Sequence, residues 1–303
     1  MAIIEIQRLT KDYGHNRGIF DVSLQVEKGE CYGFLGPNGA GKTTTIRHLM
    51  GFSKPMSGSA TILGMDCFQN ATELKTKMGY LPGEIAFPKG LTGWDFLNMQ
   101  RKMRHVKDDT YLKELLSRFE LDPGMSVDKM SLGVRRKLAV VTSFLADPEI
   151  LILDEPTSGL DPIMQQTFID FIVSEKKRGK TILLSSHIFH EVDATCDKIS
   201  IIKDGKIVAN FATDEFQKQH SKIYGITFKD QSSYELFKHC GYTFHTQNEK
   251  KLYQRIILKE SETNRLLDDL STLHVKDLSE IPFTLEDYFM GFYKNETTFE
   301  EVH

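Results

Sequence analysis

The string GPNGAGKTT, Gly36 to Thr44, constrains this chain more than any other, because it demands a strand, a tight glycine turn and a helix in immediate succession. Gly36, Gly41, Lys42 and Thr43 satisfy G-x-x-x-x-G-K-[ST]. At that spacing backbone N–H groups curl around phosphate oxygens, the lysine reaches the β and γ phosphates, and the hydroxyl can ligate Mg2+. The flanks agree. Glu30 to Leu35 (ECYGFL) reads as a short buried strand, and Ile46, Leu49 and Met50 follow helical spacing until Gly51 supplies a stop. The helix N-terminus then aims unpaired N–H groups and the positive end of its dipole at the phosphates. The expected phosphate-binding set is Gly36, Asn38, Gly39, Ala40, Gly41, Lys42, Thr43 and Thr44, with Thr43 also a metal ligand.

The 303 residues suffice for a large domain and a small one, and 40% hydrophobic with 26% charged residues is ordinary for a globular protein. A formal net charge of −4 gives no electrostatic reason to expect a nucleic-acid partner. No apolar run approaches the ~18 residues of a membrane span. The N-terminus MAIIEIQRLTKDYG lacks the basic and apolar regions of a signal peptide, so the chain is expected to stay in the cytoplasm. Cys31, Cys67, Cys196 and Cys240 are scattered without a C-x-x-C, which favours reduced, packed thiols over a disulfide framework or a zinc site.

Alternation at Ile3 to Arg8 and Asp21 to Val26 predicts an antiparallel pair, with Lys28-Gly29 turning into the phosphate-loop strand. Leu91 to Leu145 reads as helical apart from a turn at Asp122-Pro123-Gly124. The apolar runs Ile150 to Leu153 and Thr181 to Leu184 suit central strands of a parallel sheet covered on both faces. Ile199 to Ile202 and Ile207 to Val208 flank Asp204-Gly205, a hairpin signal. From about Gln217 the character changes, and Ile223 to Ile281 reads as strand, helix, strand, strand, helix, strand, the order of a ferredoxin-like module. Leu285 to Tyr293 predicts a final amphipathic helix carrying Leu285, Tyr288, Phe289 and Phe292 on one face.

ILILDEPTSGLDP, Ile150 to Pro162, is the second chemical string. An apolar strand there delivers Asp154 and Glu155 to its C-terminal end, where ligands of open α/β sheets bind. In phosphate-loop logic Asp154 holds Mg2+, usually through water, while Glu155 orients or deprotonates the attacking water.

With these motifs in this order the chain, over roughly Ile3 to Gln217, resembles the ATP-binding subunits of ABC transporters of the export type. The resemblance implies an α/β P-loop NTPase cassette with a mixed sheet core, an N-terminal antiparallel sheet and a helical subdomain at about 85–147, followed by a small α+β domain. The expected domains are 1–217 and 218–303. It also implies ATP and Mg2+ as ligands, a homodimer or paired cassette closing across the ATP sites, and separate transmembrane permease subunits that hold the chain at the cytoplasmic face of the membrane. By that resemblance Tyr13 in KDYG stacks on adenine, His187 after TILLSS contacts the γ-phosphate, and Asp161 in SGLDP lies at the dimer seam.

MSLGVRR, Met130 to Arg136, stands where the family carries LSGGQ. Ser131 and Gly133 are kept, so this helix N-terminus can meet the γ-phosphate of a twin's ATP. Leu132 and Val134 depart from the pattern. So does Gly83 in YLPGE, where the family has a glutamine that senses Mg2+ and the γ-phosphate. Three readings of that position stand open: Glu84 substitutes, a water fills the place, or coupling is looser. The segment Ile85 to Met103, with Phe87, Trp94, Phe96 and Met99, resembles in position the surface that receives a transmembrane partner. A soluble ABC ATPase and an ATP-binding regulatory module are the rival functions.

Overall fold

The computed structural model describes residues 2–15, 17–219, 222–258, 262–281 and 284–291. The chain packs as two compact units, residues 1–213 and 214–303.

The first unit holds two sheets. β1 (Ala2–Asp12) pairs antiparallel with β2 (Gly18–Glu27), and after β3 (Cys31–Leu35) and α1 (Lys42–Leu49) the chain returns to β1 through β4 (Ser57–Ile62) and β5 (Met65–Asp66). This outer sheet runs β2-β1-β4-β5. Next come α2 (Ala71–Lys77) and β6 (Met78–Leu81), then the helices α3 (Gly93–Met103), α4 (Thr110–Arg118) and α5 (Leu132–Phe144). Thr92 and Asp95 close a reciprocal capping box at the start of α3. The Ser131 side chain accepts from Val134 N at 3.3 Å at the start of α5, a device worth about 1 kcal/mol.

The second sheet completes the unit with β7 (Ile150–Asp154), α6 (Pro162–Lys177), β8 (Thr181–Ser186), α7 (Phe189–Thr195), β9 (Lys198–Lys203) and β10 (Lys206–Ala212). Its order is β10-β9-β3-β8-β7-β6, parallel except for the β9–β10 hairpin. Every residue of β3, β7 and β8 is buried, as expected of parallel strands covered on both faces. One core joins the sheets: Ile46 and Leu49 of α1 lie among Ile4, Ile6, Val22 and Ile62 of the outer sheet and Ile150, Ile152 and Leu183 of the inner one. This α/β architecture is the expected one, although the sequence reading offered no elements between residues 52 and 81, where β4, β5, α2 and β6 lie.

The second unit is α+β. After α8 (Thr213–Gln219), which spans the division, come β11 (Lys222–Phe228), α9 (Gln231–Lys238), β12 (Thr243–Asn248), β13 (Tyr253–Leu258), α10 (Thr263–Ser271) and β14 (Val275–Ile281). The sheet is antiparallel in the order β12-β13-β11-β14, and Ile226, Phe228, Phe237, Ile256 and Leu266 form its core. In the last described helix, α11 (Leu285–Gly291), Leu285 and Phe289 are buried and Tyr288 packs edge-on to Phe216 at 5.3 Å. Phe292 and Tyr293 of the expected helix lie outside the described residues.

Candidate nucleotide-binding site

The order β3-β8-β7 brings three strand ends together that are far apart in sequence. Leu35 pairs with Ser186, and Asp154 pairs with Ser185. The phosphate loop, the two carboxylates and His187 therefore leave the same edge of the sheet. Open parallel sheets bind ligands there because the strand ends and helix N-termini expose unpaired N–H groups.

The loop is held from both sides. Gly36 N donates to Ser186 O at 3.3 Å, and Gly205 N, in the β9–β10 turn, donates to Ala40 O at 2.9 Å. Gly41 caps α1 with φ +113°, and a Cβ there would fall 2.7 Å from Ile19 Cγ2, so both conformation and space require glycine. Pro37, Asn38, Gly39, Gly41, Lys42, Thr43, Thr44 and Glu155 line a cavity of about 140 Å3. Gly36 and Ala40 are buried beneath the loop as its support.

Glu155 sits just past β7 with φ +49°, a left-handed conformation that costs a non-glycine residue of order 1 kcal/mol or more. Its N–H donates to Ser185 O at 3.0 Å, which holds it in place. The carboxylate bridges two partners: Lys42 Nζ lies 2.9 Å from Oε1, and His187 Nδ1 lies 2.6 Å from Oε2. An ionised carboxylate only accepts, so His187 carries its proton on Nδ1. Lys42 is 5% exposed and Glu155 15%, and Lys42 Nζ also donates to the carbonyls of Gly36 and Pro37.

Asp154 is fully buried. Its Oδ1 accepts from Ser185 Oγ at 2.5 Å, while Oδ2 has no hydrogen-bond partner. A buried carboxylate oxygen left unpaired is costly, and a cation beside it relieves the cost. With the exposed Thr43 hydroxyl on the same loop edge, the donor set is the hard-oxygen type that suits Mg2+ completed by phosphates and water. Gly83 lies against this same oxygen, since a Cβ on it would stand 3.1 Å from Asp154 Oδ2. Glu84 is exposed, and the backbone of Gly83 is what abuts Asp154.

The remaining candidates lie elsewhere in the unit. Tyr13, exposed beyond β1, is not among the residues lining the cavity, and Lys11 Nζ stands 5.8 Å from its ring centre. Ser131 and Gly133 open α5, also outside the cavity. Leu132 between them is 64% exposed, and its side chain occupies the space a Cβ on Gly159 would need. Asp161 caps α6, accepting from Met164 N at 3.0 Å.

Four supporting residues escaped the sequence reading. Ser185 and Ser186 were visible only as polar residues ending an apolar run. Glu191, on α7, accepts from Ser186 Oγ at 2.5 Å; burial, with the charge of Glu155 adding, holds its carboxyl up at about 7 against opposing hydrogen bonds from Ser186 and Thr157. Arg136, inside α5, is 3% exposed, and as the last residue of the MSLGVRR string it was given no role.

A phosphate loop, a strand-end pair of carboxylates and a histidine on one edge of a mixed sheet, with a helical insertion between them, define a P-loop ATPase of the cassette type. Residues 19–158 match the family model described as ABC transporter. The chain is 33% identical over 297 residues to the bacitracin transport ATP-binding protein BcrA of Bacillus licheniformis, covering 95% of this chain and 96% of that one. It is 33% identical over 213 residues to the Nod factor export ATP-binding protein I of Cupriavidus pinatubonensis, covering 69% and 66%. A solved structure of the ATP-binding subunit of an ABC transporter superposes with a TM-score of 0.66 at 29% identity, covering 72% of this chain and 92% of that one. The chain therefore belongs to the ABC transporter ATP-binding proteins, a family of ATP-hydrolysing cassettes.

Proposed function

We propose that two copies of this chain, or this chain and a paired cassette, close on two ATP·Mg2+ to drive export through separate transmembrane subunits. The observation that carries the catalytic part is the bridge Lys42–Glu155–His187 across the mouth of the phosphate loop. Lys42 neutralises Glu155 until phosphates compete for the ammonium. Glu155, released from Lys42 but still held by His187, then accepts a proton from the attacking water. The N–H groups of Gly39 to Thr44 cradle the phosphates, and Asn38 stands at the cavity rim. Thr43 and Asp154 would hold Mg2+, which when bound draws charge from the β- and γ-phosphates. Tyr13 offers an aromatic face to adenine. Ser131 and Gly133 of one copy complete the other's site with the N-terminus of α5.

Export and a membrane location are read from the relatives, one bearing the name of bacitracin transport and the other of Nod factor export. Among the described residues no helix is long and apolar enough to cross a membrane, and the reading assigns the path to a spanning partner. The surface offered to that partner is the groove beside the helical subdomain, lined by Phe52, Tyr80, Ile85, Phe87, Phe96 and Arg104. The chain is read as a cassette over 1–217 with an appended ferredoxin-like domain over 218–303. Purifying the tagged full-length chain from detergent-solubilised membranes tests the reading. A stoichiometric polytopic partner that stimulates ATP hydrolysis is expected. A chain recovered alone, or with nucleic acid, would overturn it in favour of a soluble ABC ATPase.

A further inference from the structure

Gly83 brings no side chain to the site, yet the loop that carries it is firmly placed, and the group that places it comes from α5. The three N–H-bearing nitrogens of Arg136 reach three carbonyls on two segments. Nη1 donates to Pro82 O at 3.0 Å, Nη2 to Gly83 O at 2.7 Å and Nε to Ser158 O at 2.9 Å. Gly83 abuts Asp154, whose unpaired Oδ2 faces the position of a Gly83 Cβ, and Ser158 closes the turn that begins at Glu155, donating its N–H to Glu155 O at 3.2 Å. One buried side chain thus spans the loops on either side of both carboxylates.

We propose that Arg136 is a positioning residue for hydrolysis, setting Asp154 and Glu155 through the backbone of the Gly83 and Ser158 segments and tying them to α5. The inference rests on the reading of Asp154 and Glu155 as the carboxylates of the ATPase. Three features support a role beyond filling space. All three acceptors are main-chain oxygens, so the link does not depend on which side chains the two loops carry. The guanidinium is planar, with donors fixed in a fork, and a single ammonium cannot hold two separated segments in register. Arg136 also stands five residues into the helix that Ser131 opens, about 7.5 Å along its axis. A shift of the α5 N-terminus, where a twin's phosphate would dock, is therefore carried as a rigid displacement to the Gly83 loop. Burial disfavours the charge on Arg136, while the charges of Asp154 and Glu155 favour it.

The test uses the full-length chain with Arg136→Lys and Arg136→Gln, measuring steady-state hydrolysis, equilibrium binding of a fluorescent ATP analogue and thermal melting, with Glu155→Gln in parallel. Misplacing catalytic groups by about 1 Å costs up to ~100-fold in rate. The expected result is kcat lowered roughly 10-fold by lysine, which keeps the charge and one anchor, and roughly 100-fold by glutamine. Nucleotide affinity is expected to stay within about 3-fold, because the phosphate loop is untouched. Wild-type kcat in both variants overturns the inference. So does a loss of kcat matched by an equal loss of nucleotide binding and of melting temperature, the signature of a purely structural arginine. Should Glu155→Gln hydrolyse ATP normally, the reading of the carboxylates falls, and this inference with it. A dead Glu155→Gln beside fully active Arg136 variants sinks only the inference.

Discussion

Substituting Glu155 by glutamine is expected to act in two opposite directions at once. Hydrolysis is lost, because an amide cannot take the proton of the attacking water. Nucleotide binding tightens, because in the free protein Glu155 occupies the ammonium that the phosphates need. Lys42 Nζ and Glu155 Oε1 are 2.9 Å apart on side chains only 5% and 15% exposed. Two unit charges at that separation attract by about 6 kcal/mol at an effective dielectric constant of 20, before desolvation is counted. Desolvation of both groups offsets most of this, leaving about 1–2 kcal/mol that ATP must overcome. Its removal tightens binding by roughly 5- to 30-fold. ADP serves as the control, since it reaches for Lys42 with its β-phosphate and carries no γ-phosphate. Titration of fluorescent ATP and ADP analogues in EDTA, at protein concentrations where the chain is monomeric, reads the affinity, and phosphate release reads turnover. Normal turnover would refute the role of Glu155. Unchanged affinity for both nucleotides would refute the competition between carboxylate and phosphate for Lys42.

Introducing a glutamine at position 83 is expected to impair this protein. A Cβ there stands 3.1 Å from Asp154 Oδ2 and 3.3 Å from its Cγ, and Asp154 cannot easily retreat from Ser185. Gly83→Gln should lower kcat by about 10-fold; a rate at or above wild type would show that the site has room after all. The raised carboxyl of Glu191 gives a pH effect of definite sign. Between its unfolded value of 4.5 and its folded value of about 7 the folded state binds more protons than the unfolded one, so stability from this group is greatest below 4.5 and is lost as pH rises through 7. Glu191→Gln, still able to accept from Ser186, should raise the melting temperature relative to wild type at pH 8 and confer no such gain at pH 5. An equal difference at the two pH values would remove Glu191 as the titrating group.

What could be read from sequence was local. A phosphate cradle is built from consecutive backbone groups, so Gly36 to Thr44 had to spell it out, and the strand–loop–helix frame follows from the same string. Buried parallel strands carry continuous apolar runs, which made β7 and β8 visible, and the Asp204-Gly205 turn announced β9 and β10. Very short strands carry no such mark, because two to four residues cannot show a period. β5 has two residues and β6 four, and both went unread although β6 forms an edge of the central sheet.

The chemistry of the site was divided along the same line. Composition and motif order determined that the chain has a phosphate loop, a strand-end Asp154-Glu155 pair and a downstream His187, and with them its family. Only the folded sheet decided that Lys42 and His187 meet on the two oxygens of Glu155, that Ser185 takes one oxygen of Asp154 and Gly83 faces the other, and that Arg136 joins the loops around both. The physical reason is the strand order β3-β8-β7. Sequence writes each strand's own burial, whereas which strand lies beside which is settled by packing between residues distant in the chain, Asp154 with Ser185 and Leu35 with Ser186.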